Sequence, residues 1–223
     1  MTGADSGGPS PESVEEILGE ARAAGFLGPG ALEPQRRHAE GFARLARRQP
    51  WTRPEAPHVV DLGSGGGLPG LVVALAWPAA HLLLLDSNGR RTDFLSRAVA
   101  TLGLGDRVTV VNGRAEAIGR SEAHRGHYDG VLARSFGPPA TLAECAAPLL
   151  RVGGWVIVSE PPEGRDAAEA EGHRWPADPL SQLGLVPGEF VQEEFGYQVL
   201  RQVSQCPERF PRRDGVPAKR PLF

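Results

Sequence analysis

The residues with the clearest potential for chemistry lie between positions 59 and 70, where the sequence is Val-Val-Asp-Leu-Gly-Ser-Gly-Gly-Gly-Leu-Pro-Gly. Two β-branched residues lead into Asp61, and the glycines after it let the backbone turn tightly and approach a ligand. A second apolar run ends at Asp86, about where a nucleotide-binding βαβ unit carries a hydroxyl-binding carboxylate. By pattern alone, NAD, FAD and S-adenosylmethionine all remain possible ligands.

The glycine spacing separates these ligands in part. Gly63, Gly65 and Gly67 do not complete the dinucleotide fingerprint, because Leu68 stands where its third glycine would be. Pyrophosphate binding is therefore disfavoured. A strand that ends in Asp-Leu-Gly-Ser-Gly instead resembles class I S-adenosylmethionine methyltransferases, whose ligand has no phosphate. The competing interpretation is a glycine-rich turn that only connects two elements.

Length, charge and cysteine content limit the function classes. A chain of 223 residues fits one domain with a full core, and its net charge of −3 argues against indiscriminate nucleic-acid binding. The two cysteines, Cys145 and Cys206, have no neighbours at metal-ligand spacing, so we predict free thiols and no metal site. The apolar runs are shorter than the roughly 20 residues that span a bilayer, and the first residues lack the pattern of a secretory signal. We expect a cytoplasmic protein.

From His58 onward, strand and helix patterns alternate as in a parallel sheet that is covered on both faces. The predicted strands are His58–Leu62, His81–Leu85, Arg107–Val111, Tyr128–Ala133, Trp155–Ser159, Pro187–Glu194 and Tyr197–Gln205. The predicted helices are Ser13–Ala24 with Ser13 as its N-cap, Pro34–Arg48, Leu71–Trp77, Arg91–Leu102 and Leu142–Leu150, the last one stopped by Gly153 and Gly154. Residues 161–179 are predicted to be a poorly ordered helix or loop.

Five segments taken together resemble the bacterial 16S ribosomal RNA guanine-N7 methyltransferase family, also known as glucose-inhibited division protein B. They are Asp61–Gly70, Leu85–Leu95, Asn112–Glu116, Tyr128–Ser135 and Cys206–Leu222. The Leu-Pro-Gly extension of the glycine loop and the proline-rich basic tail are the most specific of them. Two stretches depart from the family pattern, Arg37-His38-Ala39-Glu40 and Ser159-Glu160-Pro161, and both lie where an RNA substrate could be gripped.

The resemblance implies a class I (Rossmann-like) methyltransferase fold with a seven-stranded, mostly parallel sheet and helices on both faces. It divides the chain into a disordered N-terminus (1–12), an N-terminal helical cap (13–57), an S-adenosylmethionine-binding domain (58–205) and a basic proline-rich tail (206–223). It also implies S-adenosylmethionine as cofactor and ribosomal RNA or the small ribosomal subunit as partner. We expect a monomer, since RNA is too large to enter a closed site.

The resemblance also assigns the cofactor contacts. Gly63, Ser64, Gly65, Gly67 and Leu68 would line the methionine half of the cofactor, with Asp61 behind them, hydrogen-bonding toward its ammonium group. Asp86 would accept both ribose hydroxyls, although an N-cap carboxylate is the alternative interpretation. Ala115 and Glu116 would flank the adenine, where backbone groups can bind the base edge and the Glu116 side chain can be incidental.

Arg134 ends the fourth predicted strand, where cofactor and acceptor meet in this architecture, so it is the candidate catalytic, positioning residue. An ion pair with Glu160 is the alternative. Phe136 would stack on the target base or else pack at the rim. Guanine N7 already carries a lone pair, so its methylation needs alignment and no general base. The sequence Arg134-Ser-Phe-Gly-Pro-Pro139 lacks the motif typical of adenine-N6 methyltransferases, which disfavours that reaction.

Two basic segments are candidates for RNA binding. In the predicted helix Pro34–Arg48, one face must be strongly basic, with Arg36 and Arg37 among its arginines, and the prolines of the tail would hold it extended. The tail residues assigned to RNA are Arg212, Arg213, Lys219 and Arg220. Two other functions stay open: methylation of another RNA or a small molecule, and a degenerate paralogue that binds RNA or cofactor without turnover.

Overall fold

A computed structural model describes residues 11–161 and 174–223. Its strands are β1 His58–Leu62, β2 His81–Asp86, β3 Val108–Asn112, β4 Tyr128–Ala133, β5 Leu150–Glu160, β6 Leu185–Gln192 and β7 Gly196–Gln202. Its helices are α1 Pro11–Ala23, α2 Leu32–Arg48, α3 Gly70–Ala76, α4 Gly89–Thr101, α5 Ala115–Arg120, α6 Pro139–Ala146, α7 Ala177–Ser181 and α8 Val216–Lys219, with a 3-10 turn at Ala147–Leu149.

The described strands form one sheet in the order β3-β2-β1-β4-β5-β7-β6. Neighbouring strands run parallel from β3 to β5, and β7 is antiparallel to both of its neighbours. The predicted seven-stranded, mostly parallel sheet is therefore confirmed. Chain order reverses at β1, which pairs with β2 on one side and with β4 on the other. In open α/β sheets, ligands bind beyond the carboxyl ends of the strands at such a switch point.

The two faces of the sheet carry separate cores, because successive side chains of a strand point to opposite faces. On β5, Trp155 and Ile157 join a cluster with α1 to α4, whereas Val156 and Val158 join a cluster with α6, α7 and the C-terminal residues. Helices thus cover both faces, as predicted. The helices α1 and α2 belong to the same core cluster as α3 and α4.

Three local predictions differ from the structure. Ser13 is not an N-cap, since α1 already begins at Pro11. The predicted helix Leu142–Leu150 is instead α6 followed by the 3-10 turn, and β5 begins at Leu150. Gly153 has the positive φ (88°) that a helix cap would need, but it lies within β5, which pairs with β4 through a register shift. Residues 1–10 and most of 161–179 lie outside the described residues.

Residues 206–223, the tail that its prolines were predicted to hold extended, pack against the domain and are called the C-terminal strap below. Phe210 and Cys206 are buried, and Leu222 and Phe223 pack against the core cluster on the α6 face. The apolar side chains of the strap make this packed position more favourable than an extended, solvated one. Cys145 and Cys206 are both buried free thiols, as predicted. No helix in the described residues is long and apolar enough to cross a membrane.

Candidate functional site

The loop between β1 and α3 is anchored to the end of β2. The backbone N–H groups of Gly63 and Ser64 both donate to the carbonyl oxygen of Leu85, at 2.8 and 3.0 Å. Gly63, Gly65 and Gly67 all have positive φ values, of 77°, 54° and 92°, which residues with a side chain rarely adopt. The glycines of the motif are thus required by the backbone path that leads from the sheet into α3.

The start of α3 is held by Asp61. Its Oδ2 accepts a hydrogen bond from the N–H of Gly70 at 3.0 Å, and a Cβ at Gly70 would lie only 2.5 Å from that oxygen. Gly67 is equally restricted, because a Cβ there would lie 2.4 Å from Leu71 Cδ1. Gly70 of the Leu-Pro-Gly extension therefore lets the start of α3 approach β1 and β2 closely, and Gly67 lets the loop pack on α3.

Asp61 is 1% exposed, and its Oδ1 has no hydrogen-bond partner in the described part of the chain. Burial raises the pKa of this carboxyl to about 7, while Ser64, Gly70 and the Arg134 charge act in the opposite direction. A buried acceptor without a partner fits an ammonium group that arrives with a ligand. The role of Asp61 toward the cofactor ammonium stays a prediction that this geometry supports.

Asp86 lies at the carboxyl end of β2 and is 5% exposed. Its Oδ2 accepts from Gly65 N and its Oδ1 from Asn88 N, both at 2.9 Å. The N-cap of α4 is Asn88, whose side chain accepts from the N–H groups of Arg90 and Arg91. The alternative role of Asp86 as that N-cap is therefore wrong. Each carboxylate oxygen keeps a free lone pair, so both could still accept from a diol.

Two adjoining clefts open at this edge of the sheet, and both are lined by Gly63, Arg91 and Ser135. The strand-end cleft, of about 280 Å³, is further lined by Leu62, Leu85, Asp86, Ser87, Gly113, Arg114, Ala115, Glu116, Phe136, Thr141, Cys145 and Ala218. The glycine-loop cleft, of about 180 Å³, is further lined by Phe26, Leu27, Gly28, Gln35, Ser64, Gly65, Gly66, Leu68 and Arg134. The structure thus brings the predicted cofactor residues together around these clefts, with Gly67 and Asp61 behind them.

Glu116 has a second task besides lining the strand-end cleft. Its Oε1 accepts from Arg114 Nη2 and from Gly215 N, both at 2.8 Å. Burial opposes ionisation of Glu116, but these hydrogen bonds hold its pKa below the ordinary value. The side chain is thus committed to the C-terminal strap, and Ala115 beside it begins α5.

Arg134 follows β4 and lines the glycine-loop cleft. Its Nη2 donates to Gln35 Oε1 at 3.0 Å. Its pKa is lowered by burial, with the charge of Asp61 acting against that shift. Glu160, the alternative partner, instead forms an ion pair with Arg174 at 2.7 Å. Gln35 was not predicted from the sequence, because a single glutamine near a helix start belongs to no motif.

Phe136 lies over the glycine loop. A Cβ at Gly63 would sit 2.7 Å from Phe136 Cδ2, and the preceding Ser135 has a φ of 57°. The ring is half-buried and lines the strand-end cleft. In this position the ring packs on the loop, which is the alternative interpretation, and base stacking stays a prediction.

The predicted strongly basic face of α2 is corrected by the structure. Arg36 pairs with Glu40, and Arg37 pairs with both Glu33 and Glu194. Arg44 in turn pairs with Glu193 at 2.8 Å. Glu33 and Glu40 lie on α2 itself, whereas Glu193 and Glu194 come from the turn between β6 and β7, which is remote in sequence. Arg36 and Arg37, which are predicted to bind RNA, therefore already form ion pairs within the protein.

The tail cations also divide into two groups. Arg212 is engaged internally, because its Nη2 lies 2.5 Å from Oε2 of the fully buried Glu144. The predicted RNA contact of Arg212 would therefore have to involve a guanidinium group that already pairs with Glu144. Arg213, Lys219 and Arg220 are exposed, and none of them forms an ion pair with a described residue. These three remain candidates for phosphate contacts.

Fold and site together define a class I S-adenosylmethionine-dependent methyltransferase. In fold, the chain is similar to the solved O-methyltransferase TomG from Streptomyces achromogenes, which is involved in tomaymycin synthesis and was solved in complex with S-adenosylmethionine. The superposition has a TM-score of 0.60 with 18% sequence identity, and it covers 87% of this chain and 91% of TomG. At that identity, the likeness describes the fold alone.

The sequence comparisons narrow the class to a family. The family model for rRNA small subunit methyltransferase G (GidB) matches residues 47–178. The protein of that name from Rubrobacter xylanophilus is 40% identical over 174 residues, which are 75% of this chain and 66% of that protein. The Moorella thermoacetica protein is 35% identical over 179 residues, 76% of this chain and 71% of that protein. The chain therefore belongs to this family of S-adenosylmethionine-dependent rRNA methyltransferases.

Proposed function

We propose that the protein transfers the methyl group of S-adenosylmethionine to N7 of a guanine in small-subunit ribosomal RNA. The observation that carries the proposal is the convergence of the glycine loop, Asp86 and Arg134 on two adjoining clefts at the sheet switch point of a chain in this family. A ribosomal RNA substrate would place the reaction in the cytoplasm, and the open clefts suit a monomeric enzyme.

The residues present fit the cofactor. The Oδ1 atom of Asp61, which has no partner among residues 11–161 and 174–223, and the glycine loop suit the ammonium and methionine half. Asp86 keeps acceptor capacity for a ribose diol. Ala115 and Glu116 line the strand-end cleft, where the adenine would be placed. The clefts share Gly63, Arg91 and Ser135, so the methyl group would lie near this junction, within reach of a base entering beside Arg134.

When bound, S-adenosylmethionine supplies an electrophilic methyl group, which guanine N7 accepts through its lone pair as the sulfur–carbon bond breaks. Asp86 and Glu116, the carboxylates that line the clefts, both accept hydrogen bonds from backbone N–H groups. These carboxylates are therefore engaged by the backbone and are poorly placed to act as a general base. Burial raises the pKa of the Cys145 thiol, so this thiol stays protonated near neutral pH and does not act as a base either. Arg134, oriented by Gln35, can donate to an acceptor edge or a phosphate and align the base.

The test is transfer of labelled methyl to undermethylated small-subunit RNA and to assembled subunits, with the modified base mapped. We expect label at a guanine N7, and loss of transfer in Asp86→Ala together with weakened cofactor binding. Asp93→Ala, an exposed carboxylate on α4, is the matched control and should retain both.

Other outcomes would contradict the proposal in distinct ways. Cofactor binding without label on any RNA would favour a non-catalytic paralogue or a small-molecule acceptor. Label on a different base atom would retain the enzyme class and overturn the acceptor. Unchanged cofactor affinity in Asp86→Ala would overturn the site assignment.

A further inference from the structure

The C-terminal strap is fastened along its length to the elements that border the strand-end cleft. Its first part is held by hydrogen bonds from Arg125, which lies in the loop between α5 and β4. The Arg125 guanidinium donates to the carbonyl oxygens of Cys206, Pro207 and Phe210, at distances between 2.7 and 2.9 Å. Backbone carbonyls of an irregular segment need such donors when they leave solvent.

The second attachment is a buried ion pair. Glu144 on α6 has no solvent exposure, and its carboxylate accepts from Nε and Nη2 of Arg212 and also from the Arg212 backbone N–H, at distances between 2.5 and 3.1 Å. The same Arg212 Nη2 reaches the carbonyl oxygen of Arg220 at 2.7 Å, which closes residues 212–220 into a loop. Bidentate geometry of this kind fixes position as well as charge.

The third attachment comes from the cleft itself. Glu116, which lines the cleft, accepts from Gly215 N, the residue that precedes α8 and has a φ of 76°. Arg120 on α5 donates to Asp214 Oδ1 at 2.5 Å, and Thr141 Oγ1 donates to the Pro217 carbonyl oxygen at 3.2 Å. These contacts place Ala218 in the wall of the cleft, beside Thr141 and Cys145.

We propose that Ala218, held in place by residues 212–219 of the strap, is part of the wall that faces the adenine of the cofactor, with Glu116 as the positioning residue that couples the strap to the cofactor. The inference rests on the proposed function, since it takes the cleft to be the S-adenosylmethionine site. The strap is then part of the cofactor-binding structure, and its role is not limited to RNA contact.

Coupling follows from linkage. A ligand that contacts the docked strap binds the docked state more tightly, and by the same amount it stabilises docking. Bound S-adenosylhomocysteine should therefore protect the strap from proteolysis, and loosening the strap should weaken cofactor binding. Couplings between sites are typically about 5- to 150-fold.

The first test adds a larger side chain to the part of the strap that lines the cleft. Ala218 is exposed and lines the cleft, so Ala218→Leu adds bulk there with little effect on the core. We expect at least a fivefold loss of S-adenosylhomocysteine affinity by calorimetry, an order-of-magnitude estimate. Pro221→Leu, an exposed position in the same strap that does not line the cleft, is the control and should bind normally. Equal affinities in the two variants would overturn the proposal.

The second test addresses Glu116 as a positioning residue. Glu116→Ala removes the acceptor for Gly215 N, whereas Glu116→Gln keeps an acceptor oxygen there. We expect KM for S-adenosylmethionine to rise in the alanine variant with a smaller change in kcat, partial rescue in the glutamine variant, and loss of ligand-induced protection of the strap in the alanine variant. Unchanged protection would overturn the coupling.

The two proposals fail separately. If the unaltered protein binds no S-adenosylhomocysteine, the proposed function fails. If it binds, and Asp86→Ala weakens binding while the strap variants do not, the proposed function stands and only the strap inference fails.

Discussion

Two aspartates at the ends of neighbouring strands have the same chemistry and different surroundings. Asp86 is held by two backbone N–H groups beside a cleft. Asp61 is fully enclosed, and one of its oxygens lacks a hydrogen-bond partner among the residues that the structure describes. Burial raises the pKa of this carboxyl to about 7. At residue scale, this difference supports the proposal that Asp86 binds hydroxyl groups and Asp61 binds a cationic group.

The raised pKa of Asp61 predicts a pH dependence of cofactor binding. Asp61 is largely neutral below about pH 7, and a cationic ligand group prefers the carboxylate, so affinity should fall roughly tenfold from pH 8 to pH 6. Calorimetry of S-adenosylhomocysteine binding measures this. Asp61→Asn should bind weakly and lose this component of the pH dependence, and an identical pH profile in both proteins would contradict the assignment.

The same shift has a consequence for stability. Because the folded-state pKa of Asp61 lies above the ordinary value of 3.8, its protonated form contributes stability that is complete below about pH 4 and is lost as pH rises through 7. Asp61→Asn should therefore be more stable than the unaltered protein above pH 7, as measured by urea unfolding. Equal stability at pH 8 would contradict burial as the cause.

Gln35 carries a second prediction at residue scale. Its Oε1 accepts from Arg134, and its Nε2 donates to the carbonyl oxygens of Gly28 and Gly30 at 3.3 and 3.2 Å. Gln35→Ala should lower kcat by about tenfold, an order-of-magnitude expectation for lost positioning, and affect cofactor binding less. In an Arg134→Ala background the same change should have little further effect on kcat. Additive losses would show that Gln35 does not act through Arg134.

At the scale of elements, the glycine loop and α3 form one packed unit. Gly67 combines a φ of 92° with a Cβ position 2.4 Å from Leu71 Cδ1. Gly89, at the start of α4, has open space around its Cβ position and no positive φ. The two glycines therefore form a matched pair for testing what the loop requires.

Gly67→Ala should lower the free energy of unfolding by roughly 1–3 kcal/mol, because it adds backbone strain and a clash. Gly89→Ala should change it by no more than about 0.5 kcal/mol. Urea denaturation measures both values. Similar losses in the two variants would mean that the loop relaxes around an added methyl group.

The helices and strands also show which structural features can be predicted from sequence patterns and which cannot. The strand β1, the glycine loop and Asp86 were predictable because their signals are local: a β-branched apolar run that is buried on both faces, glycines, and an acidic residue at a strand end. Two ion pairs could not be predicted from local patterns, because the residues they join are far apart in sequence. Arg37 and Glu194 are 157 positions apart, and Arg212 and Glu144 are 68 positions apart. Gly153 misled for a related reason, because a positive φ serves a strand irregularity as well as it serves a helix cap.

At the scale of the whole molecule, electrostatics depends on which cations are already paired. The charges of α2 are largely matched by Glu33, Glu40, Glu193 and Glu194. Arg213, Lys219 and Arg220 have no such partners in the described part of the chain. The strap therefore presents the more available cations to a phosphate backbone.

Two double variants compare these surfaces. Affinity for RNA falls as salt rises. Replacing Arg213 and Arg220 by alanine should make the negative slope of log affinity against log salt shallower by about 1.5, which is the value for two lost phosphate contacts. Replacing Arg36 and Arg37 should lower it less, because their guanidinium groups are already paired. Filter binding across a salt series measures both slopes. A larger change for the Arg36 and Arg37 variant would indicate that α2, and not the strap, makes the main phosphate contacts.

The lining of the clefts also has a consequence for biosynthesis. Phe26 lines one of the two adjoining clefts and Ala218 lines the other, so the walls draw on residues near both ends of the sequence. During translation, the sheet from β1 to β5 can assemble well before Ala218 has left the ribosome. A nascent chain that has reached only β5 would thus lack Ala218 in the proposed cofactor wall, and full affinity for the cofactor would arrive only after the strap has been synthesised.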